Sequence, residues 1–243
     1  MLKIEKFVTP SPEQWEITIE GMRNAMNSWD KMDSYMRIDP FGEGCGITLG
    51  EKDRDLMMRL NNGGAPHAKY RRMLPVHVTV NAPLYWWKEF ETYRIGVASN
   101  PSDIEFNSCS TMHKIHAKEF TIEDFSTEHL LDLRVDADFD DCPHYNGEPW
   151  DAIIIRDISI KALNFYRNKF KETNESDEQK KYWWQMIQLL PSSYNQKRTI
   201  YRNYQVLYEI YEWRKGHKLD EWHTFCHWIE ELPNSEIITG EVV

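Results

Sequence analysis

Apolar positions along the chain recur with two periods, and the places where one period gives way to the other predict the elements. Leu2 to Val8 alternates as a short strand does. Ser11-Pro12-Glu13 supplies a cap, a first-turn proline and an early acid, which predicts a helix through about Trp29. Asp39-Pro40-Phe41-Gly42-Glu43-Gly44 reads as a turn-rich connection. Glu51 to Leu60 forms a short amphipathic pattern stopped by Asn61-Asn62-Gly63-Gly64. From Leu74 to Val80, Val76, Val78 and Val80 share one side and His77 and Thr79 the other, a half-buried strand with Pro75 at its first or an edge position. Leu131, Leu133 and Val135 alternate with Asp132, Arg134 and Asp136, predicting another strand before an acidic loop from Asp136 to Trp150. Ile153 to Phe170 reads as helix, and Ser176 with Gln179 predicts a capping box for a helix running to Pro191. Thr199 to Arg214 carries the strongest helical signal, with Ile200, Tyr204, Leu207, Tyr208 and Tyr211 on one face and Gly216 as its stop. Trp222, Phe225, Cys226, Ile229 and Leu232 mark a last amphipathic helix before Pro233. These elements define an α+β class, rich in helix, with a small, mainly antiparallel sheet. No repeat or linker interrupts residues 1–243, so a single domain is expected.

Composition sharpens this picture at three points. A hydrophobic fraction of 41%, with 13% aromatic residues, supports a real core and excludes a disordered chain. The net charge of −10 argues against a duplex nucleic acid or an anionic membrane as partner. It leaves room for a single nucleotide, because a few local arginines hold one phosphate. Cys45, Cys109, Cys142 and Cys226 include no CxxC pair, which fits a reducing cytoplasm. No stretch has the length of a membrane span, and Met1-Leu2-Lys3-Ile4-Glu5 is no signal peptide.

Pro83 to Ile115 is the stretch around which the candidate chemistry gathers. Pro83 suits a first helical turn, Trp86, Phe90 and Tyr93 fall on one buried face, and Arg94 closes the helix at the negative end of its dipole. A Gly/Ser/Asn/Pro loop follows, then Asn107-Ser108-Cys109-Ser110-Thr111-Met112-His113. Small hydroxyl and amide residues after a bulky helix present donors to a ligand from a rigid support. The alternative is a buried helix followed by a solvated loop.

In this order (strand, Ala82-Pro83, aromatic helix ending in arginine, then Asn-x-x-Ser) the chain resembles the flavin-dependent thymidylate synthase family. The family signature runs Arg-His-Arg, a spacer, then Ser-x-Asn-Glu-x-Ser-x-Arg-Tyr. Thr92-Tyr93-Arg94 falls on Arg-His-Arg, and Asn107 to His113 falls on Asn-Glu-x-Ser-x-Arg-Tyr. Asn107 and Ser110 are kept, Ser108 and Met112 replace the glutamate and an arginine, and the spacer is longer. Further on, Leu190-Pro191, Asn203, Leu207 and Arg214 resemble the family's Leu-Pro…Asn…Leu…Arg helix, and His217 and Trp222 its His-Ala-Gln-Trp segment. The wording PLYWWKEFETY and STMHKI is similar to a divergent, often phage-borne branch. Together these regions cover Met57–Ile115 and Trp183–Ile229.

The resemblance implies a homotetramer that binds FAD. NADPH would reduce the flavin, and methylenetetrahydrofolate would supply a one-carbon unit to C5 of dUMP or a related pyrimidine deoxynucleotide. It assigns Ser110 and Arg214 to catalysis, Arg94, Asn107, Asn203 and His217 to the cofactor, and Arg214, Ser110, His113 and Gln205 to the substrate. Each has a plainer counterpart: a helix-end cation paired with Glu89 or Glu91 for Arg94, a helix-terminus role for Arg214, turns or caps for Ser110 and Asn107. Arg198 and Arg202, one helical turn apart, either add charge to the site or, as the favoured reading, form a surface face. Thr92 and Met112 remove two positive charges, so the alternative is a catalytically silent nucleotide-binding or scaffolding homologue. Two metal sets, His223/Cys226/His227 and Cys109/His113/His116, are weaker, and Asp136-x-Asp138-x-Asp140 lacks a calcium loop's glycine and glutamate.

Overall fold

The computed structural model describes residues 1–38, 45–93, 106–132, 144–145, 148–149 and 151–240. The strands are β1 (Lys3–Val8), β2 (Tyr35–Ile38), β3 (Cys45–Thr48), β4 (Pro75–Pro83), β5 (Phe106–Ser108), β6 (His144–Tyr145), β7 (Glu148–Pro149) and β8 (Asn195–Asn203). The α-helices are α1 (Pro12–Asn24), α2 (Glu51–Asn62), α3 (Leu84–Phe90), α4 (Ala152–Glu172), α5 (Ser176–Leu189), α6 (Tyr204–Arg214), α7 (Asp220–Glu230) and α8 (Glu236–Thr239). The main sheet has strand order β1-β4-β8-β5, and β1 runs antiparallel to β4. Two compact units are distinguished: Met1, Ala82–Lys88 and Ser108–Lys197 in the first, and Leu2–Asn81, Glu89–Asn107 and Arg198–Val243 in the second.

In the first unit, α4 and α5 pack on a core of Ile115, Phe120, Phe125, Leu163, Met186 and Tyr194. Phe120, Phe125 and Tyr194 meet at ring-centroid distances of 5.6–6.5 Å. The second unit is held by Trp15, Ile19, Met57, Val76, Val78, Val80, Tyr204, Trp222 and Phe225, all buried. Trp15 meets Tyr204 edge to face at 5.6 Å, a geometry aromatic quadrupoles favour. A buried ion pair joins α1 to α2: Arg23 Nε donates to Asp53 Oδ1 at 2.5 Å, with Arg23 3% and Asp53 0% exposed.

Several predicted elements stand where the pattern puts them. The predicted Ser11 cap stands at the start of α1, where Gln14 completes a capping box; Gly63 caps α2, and Pro75 is the first residue of β4. Others are corrected. The first helix ends at Asn24, before Asn27 takes φ 45°, and Trp29 begins a separate 3-10 turn. Ser176 lies inside α5 and caps nothing; Gln179 Nε2 instead donates to the carbonyl oxygens of Phe170 and Thr173, closing the end of α4. The largest correction falls on Thr199 to Arg214. Asn195–Asn203 is a strand, and the helix begins only at Tyr204, capped by Asn203 Oδ1 on the Val206 N–H at 3.1 Å. Gln196, Arg198, Ile200 and Arg202 face inward in strict alternation, but three of the four are polar, so hydrophobic periodicity could not register the strand. Arg198 and Arg202 are therefore buried on a strand, not displayed on a helix. Replacing Asn203 by Ala is expected to cost about 1–2 kcal/mol in urea unfolding, since a buried N-cap is lost. The predicted turn at 39–44, the strand residues Leu133 and Val135, and most of the acidic loop lie outside the described residues.

Candidate functional site

α3 ends at Phe90, earlier than the predicted close at Arg94, and Thr92 and Tyr93 bond back to the carbonyls of Glu89 and Phe90. Arg94 lies outside the described residues. In the second unit this turn faces the end of α6 and the start of α7. Glu89 is its hub. Trp222 Nε1 donates to Glu89 Oε2 at 3.0 Å, Arg214 Nη1 lies 3.5 Å from the same oxygen, and His217 Nε2 lies 3.7 Å away. His217 Nδ1 accepts from the Leu219 N–H at 3.1 Å, so the neutral ring carries its proton on Nε2, toward Glu89.

The cations are seated on aromatic faces. The Arg214 guanidinium carbon is 4.9 Å from the Trp222 ring centroid and 5.4 Å from that of Tyr93. Arg202 lies 4.8 Å over Phe90, which stacks on Trp222 at 6.2 Å. Arg198 pairs with Glu91. The aromatic side chains fix the guanidinium planes by cation–π attraction and packing, which orients their edges for directional donation. Arg214 Nε and Gln205 Oε1 are both buried without a hydrogen-bond partner, although Gln205 Nε2 donates to Glu209 at 3.0 Å.

Arg214 and His217 are thus brought together at Glu89, while Asn203 uses its Oδ1 as a helix cap. Asn107 is exposed on β5. In the first unit, Ser110 and His113 are exposed, and Ser110 Oγ accepts from the backbone N–H groups of Met112 and Lys114 at 3.3 and 3.2 Å. Met112, at a position where the family has arginine, is exposed too. Among the described residues no three His, Cys, Asp or Glu side chains are grouped to hold a metal. Also in the first unit, a cavity of about 220 Å³ is lined by Phe125, Ile155, Ile160 and Pro191 among others; none of the predicted site residues lines it.

Sequence reasoning passed over Glu89 as a hub and Arg202 as a buried cation. The β-formers Thr199-Ile200-Tyr201, followed by the capping signal Asn203, were the available clue.

The fold is helix-rich α+β and is similar to that of flavin-dependent thymidylate synthases. Two solved structures carry that likeness, both of thymidylate synthase X from Helicobacter pylori with FAD and dUMP. They are 18% and 16% identical to this chain, with TM-scores of 0.57 and 0.56, each covering 99% of this chain and 97% of the other. No protein-family model and no curated protein matches the sequence.

Proposed function

We propose that this chain binds FAD and a pyrimidine deoxynucleotide such as dUMP, and transfers a one-carbon unit to the pyrimidine. Methylenetetrahydrofolate and NADPH would serve as co-substrates of a homotetramer. The supporting observation is the seat of Arg214: a cation four-fifths shielded by its surroundings, with a buried unpartnered Nε, in a fold whose solved members carry FAD and dUMP. The residues present fit such ligands in their donor chemistry. Arg214 and His217 supply N–H donors beside aromatic faces, and Gln205 Oε1 is an acceptor still lacking a donor. A bound flavin would supply the redox chemistry. In the second unit, Arg214 would serve as a donor to developing negative charge on a pyrimidine carbonyl oxygen, with Arg94, Asn107, Asn203 and His217 toward the cofactor; in the first unit, Ser110 and His113 would offer hydrogen-bonding groups to a nucleotide.

Glu89 and Glu91 favour a second reading, a nucleotide-binding homologue without turnover. Their carboxylates already lie on Arg214 and Arg198, so a phosphate must compete with an internal counter-ion.

A thermal-shift panel of FAD, dUMP, dCMP and NADPH tests both. FAD at a hundred times its Kd is expected to stabilise the native state by about 2.7 kcal/mol, a shift of about 2–4 °C for each kcal/mol. A colourless protein whose melting is indifferent to FAD and to nucleotides would overturn both readings. Tritium release from C5-labelled dUMP, with folate and NADPH present, separates turnover from silent binding.

A further inference from the structure

We propose that Lys114, His116, Arg167 and Lys171, in the first unit, form a binding site for a small, multiply charged oxyanion, either a phosphate group or a run of carboxylates. Arg167, Phe170 and Lys171 stand at i, i+3 and i+4 on the last turns of α4, which puts them on one face. The His116 ring stacks on Phe170 at 4.3 Å with an interplanar angle of 29°, which brings the imidazole to that face. Burial, and then the nearby charges of Lys114, Lys171 and Arg167, hold His116 below its ordinary pKa, so the three cations lie near one ring.

Three observations set this cluster apart from an ordinary solvated surface. Two nearby acids are committed to other cations: Glu172 pairs with Lys169 at 3.0 Å, and Asp124 with Lys118. Among the described residues no carboxylate pairs with Lys114, Arg167 or Lys171, in a chain whose net charge is −10. Basic side chains near a helix C-terminus commonly serve its last carbonyls. Here Gln179 Nε2 takes the carbonyl oxygens of Thr173 at 2.8 Å and Phe170 at 3.4 Å, so the cations are not needed for the cap. Finally, His116 Nδ1 and Arg167 Nε are buried and lack any hydrogen-bond partner, while Arg167 Nη1 donates to Asn168 Oδ1 at 3.1 Å. A buried polar atom without a partner is costly, and an oxyanion oxygen supplies the acceptor that Arg167 Nε lacks, and that His116 Nδ1 lacks in the tautomer protonated there. Two cations on one short helical face, with Lys114 and His116 beside them, match a small anion in charge.

Titration of the whole protein with inorganic pyrophosphate, and separately with triglutamate, at constant ionic strength tests the site. The readouts are calorimetry and the long-range ¹H–¹⁵N signals of the His116 imidazole. Saturable binding with movement of the His116 signals is expected, and the tighter of the two probes identifies the source of the anion. Arg167→Gln with Lys171→Gln should weaken binding tenfold or more while leaving any FAD-induced thermal shift unchanged, and Lys114→Gln alone should weaken it less. The proposal is overturned if neither probe saturates, if sodium chloride moves the His116 signals equally, or if the double variant binds as tightly as the parent.

Discussion

Asp53→Ala is expected to destabilise the native state by about 3–5 kcal/mol, because it strands a buried cation. Asp53 is fully buried, and its two oxygens accept from Arg23 Nε at 2.5 Å, the Asp33 and Ser34 N–H groups at 2.9 and 2.8 Å, and Ser34 Oγ at 2.7 Å. Arg23 is 3% exposed and already has one unpartnered nitrogen, Nη2, so it has no route to water once the carboxylate goes. Urea unfolding would show a lower midpoint at an unchanged slope. The double change Arg23→Met, Asp53→Leu should recover most of the loss, since an apolar pair of similar volume avoids the desolvation that the ion pair carries. A double variant as unstable as Asp53→Ala would assign the cost to the Asp33–Ser34 turn instead. The same carboxyl sets an acid limit. Burial opposes its ionisation, but the bonds from Ser34, Asp33 and Arg23 outweigh burial and hold its pKa below the usual value. Its folded pKa is depressed, so its contribution is complete above the unfolded pKa of about 3.9 and is lost as pH falls through the lower folded value.

Arg214→Leu is expected to cut stabilisation by nucleotide to about half or less while leaving the ligand-free protein within about 1 kcal/mol of the parent. With no ligand bound, Arg214 contributes little to the fold. Its Nε is buried without a partner, its distance to Glu89 is 3.5 Å, and Trp222 still donates to Glu89 at 3.0 Å once the guanidinium is removed. A leucine keeps contact with the Tyr93 and Trp222 rings and no longer buries an unsatisfied donor, so little stability is at stake. A charge-assisted bond to a ligand is worth about 1.5–3 kcal/mol, or about tenfold to a hundredfold in Kd. Arg214→Lys should recover part of the charge but not the planar fork. Glu89→Gln removes the internal counter-ion, keeps an acceptor for Trp222, and should tighten nucleotide binding. Unchanged dUMP or FAD shifts in Arg214→Leu would place the nucleotide elsewhere. A loss of several kcal/mol in its unliganded stability would mean that the arginine serves structure.

The helices α1, α2, α4 and α7 were legible because each carries its own signals within a few residues: a Ser11 cap, a Gly63 stop, an unbroken apolar stripe. The strand β4 was legible for the same reason, since its alternating apolar positions record one buried face, whereas β1 alternates in sequence although none of Lys3–Val8 is buried. The family-like order of Pro83, Pro191 and Arg214 also lies in the chain itself, and it pointed to the fold.

The chain by itself settled what local periodicity and capping encode, and no more. Only tertiary structure made Asn195–Asn203 a strand, because its inward positions include Gln196, Arg198 and Arg202, whose burial depends on partners such as Glu91 and Phe90, about a hundred residues away in sequence. The same holds for the hub at Glu89, where the Arg214, His217 and Trp222 side chains converge from the far end of the chain. A polar side chain is buried only where a distant residue answers its charge or hydrogen bond, and that answer is a fact of three-dimensional packing.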